Sequence, residues 1–178
     1  MRLSMRAAAL AAGAAALWLA GCATPPVADA GLHWTSGRLS LRVDASGEQA
    51  ARSLEAGFDL RGDGEQGELR LATPLGMQLA RARWTRDEAV LDLGRGESRY
   101  PSLESLSRAA LGETLPLRAL PDWLAGRPWP GAAAQPSADG FEQLGWQISL
   151  AGWAHGRVEA LREQPPRVLV RVRLAPAG

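Results

Sequence analysis

Catalytic raw material is scarce in this chain. Of 178 residues, only Cys22 is a cysteine and only His33 and His155 are histidines. Two histidines without metal-ligand spacing, and without a nucleophile beside either, offer no metal centre and no nucleophile–base pair. A Gly-x-Ser-x-Gly elbow and a phosphate-binding P-loop are both missing. Carboxylates such as Asp59, Glu68 and Asp92 fall on the polar sides of strand patterns, where solvated faces account for them. A hydrolase would need two of them to meet in space. No enzymatic activity, metal or cofactor is expected. Lysine is absent, so all 20 basic residues are arginines. A GC-rich genome accounts for that bias. The formal charge is +1 with no long basic patch, which argues against nucleic acid as a partner. No internal repeat is visible.

What is present begins at the N-terminus. Arg2 and Arg6 precede an apolar run from Ala7 to Ala20 that ends in Leu19-Ala20-Gly21-Cys22. The run is too short for a membrane span and reads as a secretory signal over residues 1–21. Leu-Ala-Gly-Cys is the pattern at which bacterial lipoproteins are processed. The thiol receives a diacylglycerol, and cleavage leaves the cysteine first. Lipidation would consume the one cysteine that a secreted chain could otherwise leave unpaired. Ala23 replaces the Asp that marks inner-membrane retention in enteric bacteria, which points to the outer membrane. Residues 22–33, rich in small residues and proline, read as a lipidated tether. Residues 34–178 are long enough for one domain with a real core. Losing Arg2 and Arg6 takes the formal charge to about −1, near neutral.

Period-two stripes dominate the domain. Leu39, Leu41 and Val43 alternate with arginine, serine and aspartate. Phe58 and Leu60 follow, then Leu69 and Leu71, with Met77 and Leu79 opening a strand toward Trp84. Leu91 and Leu93 flank Asp92. Such stripes suit a sheet buried on one face, and the short strands with Gly-rich turns suggest antiparallel pairing. The middle is helical. Ser102 caps a helix with Leu103, Leu106 and Ala110 on one face, although Ser105 stands where a Glu would complete a capping box. Gly112 ends it. A second short helix follows Pro116, broken or restarted at Pro121, with Leu117, Leu120, Trp123 and Leu124 apolar. Residues 131–140 read as a loop. Leu144, Trp146, Ile148 and Leu150 then alternate with polar residues or glycine. Residues 158–163 are a weaker strand, and Val168, Val170, Val172 and Leu174 close the chain opposite Arg171 and Arg173. Strands, helices, strands is an α+β plan, mainly β: one antiparallel sheet with helices gathered on one side.

Thr73-Pro74-Leu75-Gly76 marks a turn, since Pro74 fixes its own φ and Gly76 permits a reversal. Leu75 either packs inward from a tight hairpin or projects with no core to enter. In order along the domain come the lipobox, Gly37-Arg38 opening a strand, the Pro74-Leu75-Gly76 turn, the helix at 102–112, and Leu115-Pro116-Leu117 leading to Trp123-Leu124-Ala125-Gly126. In that order and context the chain resembles the LolB family of outer-membrane lipoprotein receptors.

The resemblance implies an unclosed, strongly curved antiparallel β-barrel with short helices covering one opening. Such proteins accept lipoprotein acyl chains from the periplasmic carrier LolA into a hydrophobic cavity. They release the cargo into the outer membrane, facing the periplasm and held by the lipid on the residue matching Cys22. The family's protruding loop, with its membrane-inserting apolar residue, matches Pro74, Leu75 and Gly76. Candidates for the cavity wall are Leu39, Leu41, Phe58, Leu69, Leu71 and Leu79 on the early strands. Trp123 on the second helix, and Trp146, Ile148 and Val170 on the late strands, complete the set. An ordinary filled core would produce the same pattern. With no energy source expected outside the inner membrane, transfer runs toward better binding, for which a monomer suffices. The competing readings are an envelope lipoprotein that binds another lipid or apolar ligand, or one that scaffolds the envelope.

Overall fold

The computed structural model describes residues 33–176. The signal segment 1–21, Cys22 and the tether up to residue 32 lie outside the described residues. Six strands come first: β1 (Thr35–Val43), β2 (Arg52–Gly62), β3 (Gly67–Ala72), β4 (Gln78–Trp84), β5 (Ala89–Asp92) and β6 (Glu97–Tyr100). Helices α1 (Leu103–Leu111) and α2 (Leu120–Leu124) follow. Then come β7 (Ala134–Ser137), β8 (Gly140–Gln143), β9 (Trp146–Ser149), a 3-10 turn (Trp153–His155), β10 (Arg157–Arg162) and β11 (Val168–Leu174).

All eleven strands form one antiparallel sheet in the order β6-β5-β4-β3-β2-β1-β11-β10-β9-β8-β7. The first and last strands pair at its middle, and its free edges are β6 and β7. The sheet curls without closing, and the β6–β7 connection carries both helices. Pro116, Pro121, Pro128 and Pro130 lie in this connection. Proline cannot donate to a ladder, so strand pairing does not continue here. Pro136 sits on β7, an edge strand, where proline is tolerated.

Cross-strand register explains the core. Leu39, Leu41 and Val43 of β1 stand opposite Val172, Val170 and Val168 of β11. On the other side Leu39 and Leu41 face Ala56 and Leu54 of β2. Phe58 then opposes Leu71, and Leu60 opposes Leu69. Because side chains alternate with period two, these partners share one face, and the apolar stripes merge into one cluster. Ile148 and Val168 are fully buried, each worth roughly 1.5–3 kcal/mol relative to exposure. The core cluster runs from Leu41 to Val172, wholly inside the described residues.

Several expectations are corrected. Met77 and Leu79 do not open an inward stripe. Ala80, Ala82 and Trp84 face inward, and Leu79 has the opposite parity. A bulge between β3 and β4 also pairs Leu71 with Ala80 but Ala72 with Gln78, leaving Leu79 out of the ladder. Both Met77 and Leu79 are exposed. Helix α1 buries Leu103, Leu106 and Ser107, while Ala110 is exposed. Its capping box is complete without a Glu: the Ser105 N–H donates to the Ser102 hydroxyl (3.2 Å), and the Ser102 N–H donates to the Ser105 hydroxyl (3.1 Å). Gly112 closes the helix at φ 76°, its N–H donating to Arg108 O at 2.9 Å. Helix α2 starts only at Leu120. Pro121 lies in its first turn, where a missing N–H costs no helical hydrogen bond. The expected loop at 131–140 contains β7 and its turn into β8. Leu144 belongs to no strand; it has φ 54° in the tight turn joining β8 and β9. Leu150 lies just beyond β9.

Candidate functional site

Two features stand out: a partly open apolar cavity and one protruding turn. The cavity lies between the concave face of the sheet and the helical connection, with a volume of about 100 Å³. Its sheet wall is Leu39, Leu41, Leu54, Leu69, Leu71, Trp146, Ala160 and Val170. The opposite wall comes from the connection: Leu111, Leu115, Pro116, Leu117, Leu120 and Trp123. Every lining residue is apolar.

Seven of the ten expected wall residues lie on this cavity: Leu39, Leu41, Leu69, Leu71, Trp123, Trp146 and Val170. Phe58 and Ile148 are buried in the packed core beside it. Leu79 is exposed on the other side of the sheet. Sequence reasoning missed Leu54 and Ala160 in the sheet wall, and gave no wall role to Leu111, Leu115, Leu117 and Leu120. Leu54 was within reach, because it extends the β2 stripe of Phe58 and Leu60 by two steps of two.

The helical wall is tied down at a few polar points. Gln143, 2% exposed, sits under α2. Its Oε1 accepts from Trp123 Nε1 at 2.8 Å and from the Trp129 N–H at 2.9 Å. Its Nε2 donates to Trp129 O at 2.7 Å and Ala132 O at 2.8 Å. The side chain is therefore fully satisfied, as a buried amide must be. Its inward parity next to Phe141 was the available signal. Ser107 donates to Glu104 O (3.0 Å) and accepts from the Leu115 N–H (3.0 Å), fixing the reversal after α1. Arg52 donates to Leu111 O at 3.1 Å, and Arg162 bonds Glu113 at 2.8 Å. Trp123 leans on Trp146 with ring centres 6.2 Å apart.

The protruding turn joins β3 to β4. The Gly76 N–H donates to Thr73 O (2.9 Å), and the Thr73 N–H to Met77 O (2.8 Å). The Thr73 hydroxyl accepts from the Met77 N–H at 3.1 Å. Pro74 at the second position and glycine at the fourth suit this geometry, and Gly76 takes φ 83°, a value that disfavours side chains. The result is a closed, internally bonded loop with Leu75 at its tip, 88% exposed. Leu75 therefore does not pack inward, and Met77 beside it is also exposed.

Outside both features lies a polar knot. Glu68 points away from the core yet is 3% exposed, so it is not on a solvated face. Arg81, Arg70 and Arg61 cover it, donating at 2.5, 2.7 and 2.9 Å. Burial alone would push its pKa up. The hydrogen bonds from Arg81, Arg70 and Arg61 outweigh burial and bring it from 4.5 down to about 2. Arg61 and Arg70 also stack on Trp34, 4.7 and 4.3 Å from its ring centre. Among the described residues, no group of three or more His, Cys, Asp or Glu could hold a metal ion, and no helix is long and apolar enough to cross a membrane.

Fold and site together define a curled-sheet protein with an apolar cavity and one exposed apolar turn. The family model described as "Outer membrane lipoprotein LolB" matches residues 33–175. An outer-membrane lipoprotein LolB of Bordetella petrii is 37% identical, covering 93% of this chain and 89% of the relative. The LolB of Ralstonia nicotianae is 33% identical over 82% of this chain and 77% of its own. That of Chromobacterium violaceum is 36% identical over 75% and 76%. The chain belongs to the LolB family of outer-membrane lipoproteins, and it is not an enzyme.

Proposed function

We propose that this chain is a receptor anchored in the outer membrane through a lipid on Cys22 and facing the periplasm. It accepts the acyl chains of a lipoprotein from the carrier LolA and inserts that lipoprotein into the outer membrane. The observation that carries this reading is the cavity whose every lining residue is apolar, in a chain of the LolB family. An acyl chain loses about 0.8 kcal/mol for each CH₂ left in water, so handover needs a continuous apolar shelter. A volume of about 100 Å³ is smaller than the ~150 Å³ cavity that accepts one benzene. Acceptance of a whole acyl chain therefore requires part of the helical wall, residues 111–117, to move away from the sheet. Leu75 enters the bilayer and brings the loaded cavity to the lipid surface.

The test is transfer of a labelled lipoprotein from LolA to the chain from residue 22 onward carrying Cys22→Ala, without nucleotide. Cargo moving to this protein is the expected result. No movement to a folded protein would sink the receptor reading and leave an envelope lipoprotein that binds some other apolar ligand.

A further inference from the structure

The convex face of the sheet carries an arrangement that neither cavity nor turn uses. Arg38 of β1 stands directly opposite Arg173 of β11, and Arg173 directly opposite Arg157 of β10. Cross-strand partners share a face, so three guanidinium groups form one row across three strands. All three are exposed, and none has a hydrogen-bond or ion-pair partner among the described residues. The neighbouring row differs: Ser40, Arg171 and Glu159 are in register, and Arg171 bonds Glu159 at 3.3 Å. Like charges directly opposite one another destabilise a sheet. A row of three with no carboxylate in contact works against the fold unless an anion joins it.

The row borders a groove of about 460 Å³. Four arginines line it, Arg38, Arg157, Arg171 and Arg173, against Glu55 and Glu159, the latter already bound to Arg171. Thr73 and Pro74 line the same groove. An anion held by the row therefore lies beside the turn that displays Leu75.

We infer that this arginine row binds the phosphodiester headgroups of anionic phospholipid and seats the convex face on the membrane next to Leu75. The inference rests on the proposed entry of Leu75 into the bilayer. Arginine suits the ligand, because its planar fork meets phosphate oxygens two at a time. Each basic residue near an anionic bilayer strengthens binding roughly fivefold, on the order of a hundredfold for three.

The test is flotation of the Cys22→Ala chain, from residue 22 onward, with two kinds of vesicle: phosphatidylcholine alone, and phosphatidylcholine containing phosphatidylglycerol. The expected result is a preference for the charged vesicles approaching a hundredfold and weakened by salt. The triple variant Arg38→Gln, Arg157→Gln, Arg173→Gln loses that preference, binds neutral vesicles as before and melts no lower than its parent. Arg95→Gln, which removes one exposed arginine from the β5–β6 turn, keeps most of it. Three results would overturn the inference: a preference retained by the triple variant, one lost equally in Arg95→Gln, or a triple variant that melts lower. Stabilisation by inorganic phosphate with no preference for charged vesicles would also overturn it, assigning the row to a free anion. The neutral vesicles test Leu75 separately: Leu75→Glu lowers binding there if the turn enters the bilayer, whatever the arginines do.

Discussion

Leu75 allows a clean separation of function from stability. Its side chain is 88% exposed, and the turn beneath it is held by backbone hydrogen bonds and the Thr73 hydroxyl. Shortening it should therefore change the unfolding free energy by less than about 0.5 kcal/mol, as for other surface positions without packing. The same exposure leaves nearly all of its apolar surface free to be buried in lipid. Leu75→Ala removes three carbons at about 0.8 kcal/mol each, about 2.4 kcal/mol or roughly 50-fold in membrane affinity. Leu75→Glu loses that contact and adds a charge that resists burial.

Urea denaturation and vesicle flotation on the same preparations would measure both numbers. The transfer reaction splits in the same way. Cargo should still pass from LolA to Leu75→Glu, because Leu75 is not part of the cavity wall, while deposition into vesicles fails. The reasoning is refuted if Leu75→Ala lowers stability by more than about 1 kcal/mol, which would make the tip a packing residue. It is also refuted if vesicle binding stays within about twofold of the parent, since burial of a leucine predicts far more.

Four further outcomes follow from the geometry. Glu68→Gln should cost on the order of 2 kcal/mol in urea melts, because three arginines lose the carboxylate they share. With its folded pKa lowered from 4.5 to about 2, Glu68 stabilises fully above pH 4.5 and loses that contribution as pH falls toward 2; melts from pH 5 to 2 should lack this component in the variant. Gln143→Ala strands Trp123 Nε1 and the backbone groups of Trp129 and Ala132, each worth about 1–3 kcal/mol if unsatisfied, so thermal melting should fall by many degrees. Ala160→Leu, aimed into the cavity, should cost no more than about 1–3 kcal/mol yet reduce acceptance of cargo from LolA, the readout being label retained on the receptor.

The strands were legible because most have one apolar and one charged face, and period two reads such faces directly. The failures have physical causes. The hairpin of β7 and β8 escaped notice because an edge strand reading Ala-Gln-Pro-Ser carries no apolar stripe. Gln143 escaped because a polar residue facing inward looks, in sequence, like an interruption. Glu68 was taken for solvent-facing, since nothing local shows that Arg61, Arg70 and Arg81 converge on it from three strands. The division between cavity and core has no local signature at all. Phe58 and Leu71 are direct cross-strand partners on one face, yet Phe58 belongs to the packed core and Leu71 borders the void. What separates them is how closely the 111–124 segment approaches the sheet, and that depends on distant anchors such as Gln143, Ser107 and Arg162.

The position of the break in the sheet bears on how the cavity opens. A closed barrel would have to give up ladder hydrogen bonds to admit a ligand through its wall. Here the two free edges, β6 and β7, leave the ladder already interrupted, and the intervening chain is fastened mainly by side-chain contacts. On the proposed reading, lifting residues 111–117 gives up the Arg52–Leu111, Ser107–Leu115 and Arg108–Thr114 bonds, the Arg162–Glu113 pair and apolar packing, while all ten strand pairings stay intact. An incoming acyl chain replaces the lost apolar packing, so the cost falls on these four polar contacts, worth roughly 1–3 kcal/mol each at most. Removing one of them should therefore speed acceptance. Glu113→Gln replaces the ion pair by a weaker bond from Arg162 to a neutral amide oxygen, and cargo should pass from LolA to it faster than to the parent. A slower handover would mean that Glu113 contributes to binding the carrier or cargo, and that the wall opens elsewhere.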